Sequence, residues 1–293
     1  MSPNPPTFRN VTVIGAGTMG AGIAQVCAAA GSAVALADVN REVLDRAIAG
    51  ISAFLDKGIA KGKATPDDKD RVLTGIQLTE DVAGAMAEAD LVIEAVPEKL
   101  ELKRDLFAKA AASAPAACVL ATNTSSLSLA EIFAGIPGPE RCLGTHFFNP
   151  PPIMALLEVV RPASAAEATV QRVLDYAREL GKDPIVVRDS PGFATSRLGV
   201  ALGLEAIRMI EEDVASPEDI DKALVLGYRH PMGPLRLTDL VGLDVRMAIA
   251  DYLREKLNSP AFEVPQLMRD MVARGELGKK SGRGFYDWST DGR

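Results

Sequence analysis

Short apolar runs alternate along this chain with stretches of helical periodicity. Val11 to Ile14 is a β-branched run ending in glycines, and Ala33 to Ala37 is a second apolar run ending at Asp38. The alanine-rich segment Ala21 to Ala30 lies between them, so the chain opens with a strand, helix, strand unit. From Arg41 to Lys61, Leu44, Ala47, Ile48, Ile51 and Leu55 recur at helical spacing, with Lys57 and Lys61 on the adjoining turns. Two further buried-strand candidates, "LVIEAV" at 91–96 and "CVLAT" at 118–122, flank the helical "KLELKRDLFAKAAASA". Such alternation predicts a parallel, doubly wound α/β sheet with helices on both faces.

After Pro139 the texture changes. "RCLGTHFFNP" and "ALLEVV" predict two strands, Val170, Val173, Leu174, Ala177 and Leu180 mark a helix stopped by Gly181, and "PIVV" gives one more strand. Beyond "DSPGF" the pattern is almost wholly helical. Pro191 sits at a first-turn position, Ser216 and Pro217 serve as N-cap and first helical residue, and a helix runs from Leu243 to Leu257. Two domains are expected, an α/β domain over 1–188 and an all-helical one over 189–293. No internal repeat or low-complexity segment interrupts them.

A length of 293 residues suits two domains, and 47% hydrophobic with 24% charged residues is ordinary for globular chains. The net charge of −7 argues against a general nucleic-acid or anionic-membrane surface and leaves room for a local basic patch. The apolar run "VCAAAGSAVALA" is too short to span a bilayer, and "MSPNPPTFRN" lacks the apolar core of a signal peptide, so a cytoplasmic protein is expected. Cys27, Cys118 and Cys142 have no CxxC spacing, which gives no support to a disulfide framework or a metal site and suggests inert, buried thiols.

The pattern Gly15-Ala-Gly17-Thr18-Met19-Gly20 directly follows a strand and opens a helix. That is the context of a dinucleotide-binding turn, in which backbone N–H groups and the positive helix end meet a pyrophosphate. Asp38 closes the second strand, 18 residues beyond Gly20, where its carboxylate can accept hydrogen bonds from a ribose 2′-hydroxyl and would repel a 2′-phosphate. NAD is the expected cofactor of this Rossmann-type sheet. Flavin uses the same turn, and Arg41 beside Asp38 keeps NADP open.

Asn123 and Ser125 in "ATNTSSL", with His146 and Asn149 in "HFFNP", are polar groups at the ends of apolar strands, where open α/β sheets bind ligands. Glu158 is a charge inside the apolar "LLEVV", and a buried carboxylate needs a partner. Pairing with His146 would fix its tautomer and make it a general base, whereas a satisfied core histidine and a solvent-facing glutamate explain the same residues blandly. His230 reads as a structural loop residue. Ser125 lacks the GxSxG elbow of a serine hydrolase.

The ordered set "VIGAGTMGAGIA", "EAVPEKLELKRDLF", "ATNTSSL", "HFFNPPPIMALLEVV", "DSPGF", "HPMGPLRLTDLVGLD" and "GKKSGRGFY" resembles the L-3-hydroxyacyl-CoA dehydrogenase family, bacterial 3-hydroxybutyryl-CoA dehydrogenases in particular. The resemblance runs from about residue 10 to 287. It implies NAD-dependent interconversion of (S)-3-hydroxyacyl-CoA and 3-oxoacyl-CoA, with His146 as catalytic acid/base, Glu158 as its orienting carboxylate, Ser125 on the reacting oxygen and Asn149 near nicotinamide and substrate. It also implies NAD contacts from Asp38, Glu98, Lys103, Asn123 and Lys280, CoA-phosphate contact from Lys61 with Lys57 beside it, and a homodimer formed through the helical domain.

One position departs from the family. The usual SPGFxxNR places an asparagine near the reacting centre, whereas this chain has Ser196 there, which is shorter and presents no amide. That bears on substrate preference and rate. Two other readings fit the same framework: a dehydrogenase of a free hydroxy acid or sugar acid such as L-gulonate, and a nucleotide-sensing protein without turnover. Acyl-chain length and direction are not encoded in any motif, and Trp288 and the tail "STDGR" carry no functional signal.

Overall fold

Mostly apolar strands form the middle of an eight-stranded sheet in a computed structural model that describes residues 5–289. Residues 1–4 and 290–293, which include the start of "MSPNPPTFRN" and most of the "STDGR" tail, lie outside the described residues. The strands are β1 (Asn10–Ile14), β2 (Ala33–Ala37), β3 (Ile76–Thr79), β4 (Leu91–Glu94), β5 (Val119–Thr122), β6 (Cys142–Phe147), β7 (Leu156–Arg161) and β8 (Asp183–Arg188). Their order is β3-β2-β1-β4-β5-β6-β7-β8. Every residue of β4, β5 and β6 is buried, as expected for strands covered on both faces.

The connecting helices are α1 (Thr18–Ala29), α2 (Arg41–Ala60), α3 (Pro66–Thr74), α4 (Val82–Met86), α5 (Leu100–Ser113), α6 (Leu129–Ile132) and α7 (Glu167–Glu179). Asn40 caps α2 by accepting from the N–H groups of Glu42 and Val43, and Leu44, Ala47, Ile51 and Leu55 form its buried stripe. Truncating a fully buried leucine of this core, Leu36 or Leu44 for example, would cost about 2–5 kcal/mol.

The parallel sheet expected from the alternation is found in β1 to β5, and the strands after Pro139 make the whole sheet mixed. Strands β1 to β6 run parallel, but β7 is antiparallel to β6, and β8 pairs parallel with β7. The cause is the short link 148–155 between β6 and β7. A parallel return needs a crossover of roughly a dozen residues or more, so a link this short brings the chain straight back. The hydrophobic pattern also passes over β3, whose four residues are only half covered, together with α3 and α4.

The chain divides into two compact units, the first ending at Asp189 and the second beginning at Ser190. The second contains α8 (Thr195–Glu211), α9 (Pro217–Lys222), α10 (Pro234–Val241), α11 (Leu243–Leu257) and α12 (Gln266–Ala273) around Leu204, Ile207, Leu235, Leu253 and Met268. Pro191 does not lie in the first turn of α8. Gly192 and Phe193 adopt positive φ (74° and 47°) and delay the helix to Thr195. The carboxylate of Asp239 accepts from the N–H groups of Phe285 and Tyr286 and from Nε1 of Trp288, which pins the end of the described chain onto this unit.

Candidate active site

The strand order reverses direction from β1 between β2 on one side and β4 on the other, and at such a switch point the connections leave to opposite faces and open a crevice. The glycine turn lies there. Gly15 has φ 98°, and a Cβ on it would stand 2.7 Å from the carbonyl oxygen of Ala95. A Cβ on Gly20 would run into the carbonyl oxygen of Gly15, so α1 can approach its strand only without a side chain at that position. Gly17 differs: a Cβ there would meet nothing within 4 Å, so the space beside it is open.

Three observations bear on whether NAD fits. The space beside Gly17 lies at the start of α1, whose first turn carries no acidic residue to oppose a phosphate. A cavity of about 1000 Å³ adjoins it, lined by Gly15, Thr18, Met19, Asp38, Val96 and Leu102 among others. The Asp38 carboxylate is fixed by accepting from the N–H groups of Ala16 (2.8 Å) and Asn40 (3.1 Å). The residues fit a dinucleotide with an unmodified ribose.

Farther along the same ends of the strands, His146 and Glu158 are paired positions in the antiparallel register of β6 and β7. Cross-strand partners project to the same face. Nδ1 of His146 lies 2.7 Å from Oε2 of Glu158, the glutamate fully buried and the histidine 6% exposed. The Phe148 ring covers the imidazole at 4.4 Å between centroids. Asn123 follows β5, and its Oδ1 accepts from the N–H of Phe147, the residue after His146, at 2.8 Å. Asn149 is exposed on the β6–β7 link, one residue before Pro150.

Ser125 donates its backbone N–H to Oε1 of Glu98 at 3.0 Å, and the Thr124 hydroxyl donates to the same oxygen. Burial opposes the charge on Glu98, but the Lys103 ammonium and the hydrogen bonds from Thr124 and Ser125 outweigh it and hold the carboxyl below its ordinary value. Lys103, which the resemblance assigns to NAD, is enclosed by carboxylates. Its side chain is 1% exposed, with Nζ 2.6 Å from Glu94 and 3.2 Å from Glu98.

The remaining positions are placed separately. Lys57 and Lys61 are exposed at the C-terminal end of α2. Lys280 belongs to the second unit, where Nζ lies 2.6 Å from Asp244, and Ser196 is the second residue of α8. Cys27, Cys118 and Cys142 are buried, and burial raises their thiols to about 12, 11 and 12. Among the described residues no grouping of three or more His, Cys, Asp or Glu side chains could hold a metal, and no helix is long and apolar enough to cross a membrane.

Sequence reasoning passed over Glu94, Thr122 and Thr124. Glu94 had a signal, a charge inside the apolar "LVIEAV", which is the same anomaly that singles out Glu158. The two threonines had none, because threonine is ordinary in strands and turns.

Residues 10–190 match the NAD-binding domain of 3-hydroxyacyl-CoA dehydrogenase, and residues 192–288 match that enzyme's C-terminal domain. The chain is 44% identical over 284 residues to the 3-hydroxyadipyl-CoA dehydrogenase of Escherichia coli, covering 97% of itself and 60% of that longer relative. It is 42% identical to the 3-hydroxybutyryl-CoA dehydrogenase of Mycobacterium tuberculosis, covering 96% of itself and 99% of the relative. The crystal structure of (S)-3-hydroxybutyryl-CoA dehydrogenase PaaH1 from Ralstonia eutropha superposes with a TM-score of 0.92 at 38% identity, over 97% of this chain and all of that one. The chain therefore belongs to the 3-hydroxyacyl-CoA dehydrogenase family of NAD-dependent oxidoreductases.

Proposed function

We propose that this protein interconverts (S)-3-hydroxyacyl-CoA and 3-oxoacyl-CoA with NAD, a short acyl group such as 3-hydroxybutyryl being the natural substrate. The observation that carries the reading is the buried His146–Glu158 pair at the strand ends beside the dinucleotide crevice. Bound NAD supplies the hydride acceptor, or as NADH the donor. The protein's part is proton transfer and orientation. Glu158 engages Nδ1 of His146 and stabilises the imidazolium, so Nε2 takes the proton of the 3-hydroxyl during oxidation and returns it during reduction. Ser125 donates a hydrogen bond to the reacting oxygen, and Asn149 orients substrate against nicotinamide.

The flanking assignments belong to the same proposal. Gly15, Gly17, Thr18, Met19, Gly20, Asp38, Glu98, Lys103, Asn123 and Lys280 bind NAD, while Lys61 and Lys57 bind CoA phosphate. Residues 1–188 bind the dinucleotide, and residues 189–293 shape the acyl site and form a homodimer. Leu198, Leu202, Leu237, Leu240, Val241 and Val245 support that dimer, being apolar and exposed on the second unit. A cytoplasmic location suits a chain whose substrate and cofactor are soluble metabolites.

The test is NADH consumption with acetoacetyl-CoA, set against NADPH and against His146→Gln. Oxidation of NADH that the variant loses supports the reading. NADH binding without turnover of any acyl-CoA refutes it.

A further inference from the structure

We propose that Glu94 is a positioning residue for Ser125, acting through the Lys103 ammonium and the Glu98 carboxylate. The inference rests on the role given to Ser125 above. Glu94 ends β4 and is wholly buried, and each of its oxygens starts an arm that reaches the segment carrying Ser125.

Along the first arm, Oε2 accepts from the Thr122 hydroxyl at 2.6 Å, and that hydroxyl accepts from the N–H of Thr124 at 3.2 Å. Along the second, Oε1 accepts from Nζ of Lys103 at 2.6 Å, Lys103 reaches Oε2 of Glu98 at 3.2 Å, and Oε1 of Glu98 accepts from Ser125 N–H at 3.0 Å. Oε1 of Glu94 also accepts from the N–H of Val96, tying in the loop that carries Glu98. The two arms close a ring around residues 122–125.

The ring explains a costly arrangement. A fully buried ion pair gains little over an apolar pair of the same volume, but removing one member leaves the other stranded. Three donors, from Lys103, Val96 and Thr122, converge on the two oxygens of Glu94. An amide turns one of those acceptors into a donor, so Glu94→Gln leaves at least one of the three without its acceptor and replaces a net negative cluster by a neutral one. Glu98 is then drawn towards Lys103 alone, and its hold on Ser125 loosens.

The experiment has two readouts on the full chain. In the protein without added nucleotide, amide exchange at Thr124 and Ser125 should quicken about tenfold or more in Glu94→Gln while the central strands keep their protection. In turnover of acetoacetyl-CoA, Glu94→Gln should lower kcat about tenfold. In a Ser125→Ala background the same substitution should cost less than about twofold, because the residue it positions is gone. An unchanged exchange rate, or an equal loss in both backgrounds, overturns the proposal. Should Glu94→Gln not fold, Thr122→Val cuts one arm and must speed exchange at Thr124, and an unchanged rate there is equally fatal. A wild-type protein without acyl-CoA turnover would defeat the proposed function, and the exchange measurement would still decide the positioning claim.

Discussion

His146 and Glu158 stand opposite each other on the antiparallel seam between β6 and β7, with Nδ1 2.7 Å from a carboxylate that water does not reach. Register holds them together, because a slip of one residue along either strand would turn one of the pair to the far face of the sheet. The short link 148–155 sets that register and carries Asn149.

Glu158→Gln keeps the shape of the side chain and removes its charge. We expect kcat to fall about 100-fold or more, within the range of general acid–base contributions, while KM for acyl-CoA changes by less than about threefold. Steady-state kinetics in both directions check this, and a kcat within a few-fold of wild type would mean that His146 works without its carboxylate.

Gly20→Ala and Gly17→Ala should fail differently. The methyl at position 20 would meet a backbone oxygen, so the melting temperature should drop by several degrees, whereas position 17 has room and should melt within about two degrees of wild type. Both should weaken NADH binding, Gly17→Ala by filling the space proposed for the pyrophosphate. Thermal melts beside NADH fluorescence titrations separate the two causes.

These outcomes mark what the sequence could reveal. The turn was legible because glycine spacing after a β-branched run reflects a steric need of the backbone, and Glu158 was legible as a charge where the pattern demanded burial. The antiparallel return of β7 was not, since strand direction leaves no mark in apolar periodicity and follows from the length of the link. The surroundings of Lys103 were illegible for a related reason: helical spacing says nothing of neighbours far along the chain, and only the fold brings two carboxylates to its ammonium.

Asp38 should govern the choice between NADH and NADPH. Asp38→Asn removes the charge that repels a 2′-phosphate while retaining one acceptor, so the ratio of kcat/KM for NADPH over NADH should rise about tenfold or more. Parallel assays with the two nucleotides decide it, and an unchanged ratio would point to another determinant.

Glu98 predicts a pH effect on stability. Its folded pKa lies below its ordinary value of 4.5, so the ionised carboxylate stabilises the fold above that pH and the contribution disappears as pH falls through the folded value. Glu98→Gln should therefore melt below wild type at neutral pH, and the gap should narrow progressively below about pH 4.5. A gap that persists unchanged to pH 3 would show that the loss is steric.

Trp288 is the chain's single tryptophan, 7% exposed and held by Asp239 in the second unit. Its emission is consequently an optical label confined to the helical half, whereas NADH fluorescence signals the half that holds the glycine turn. One denaturant titration watched at both wavelengths will tell whether the two halves lose their structure in a single step or in sequence.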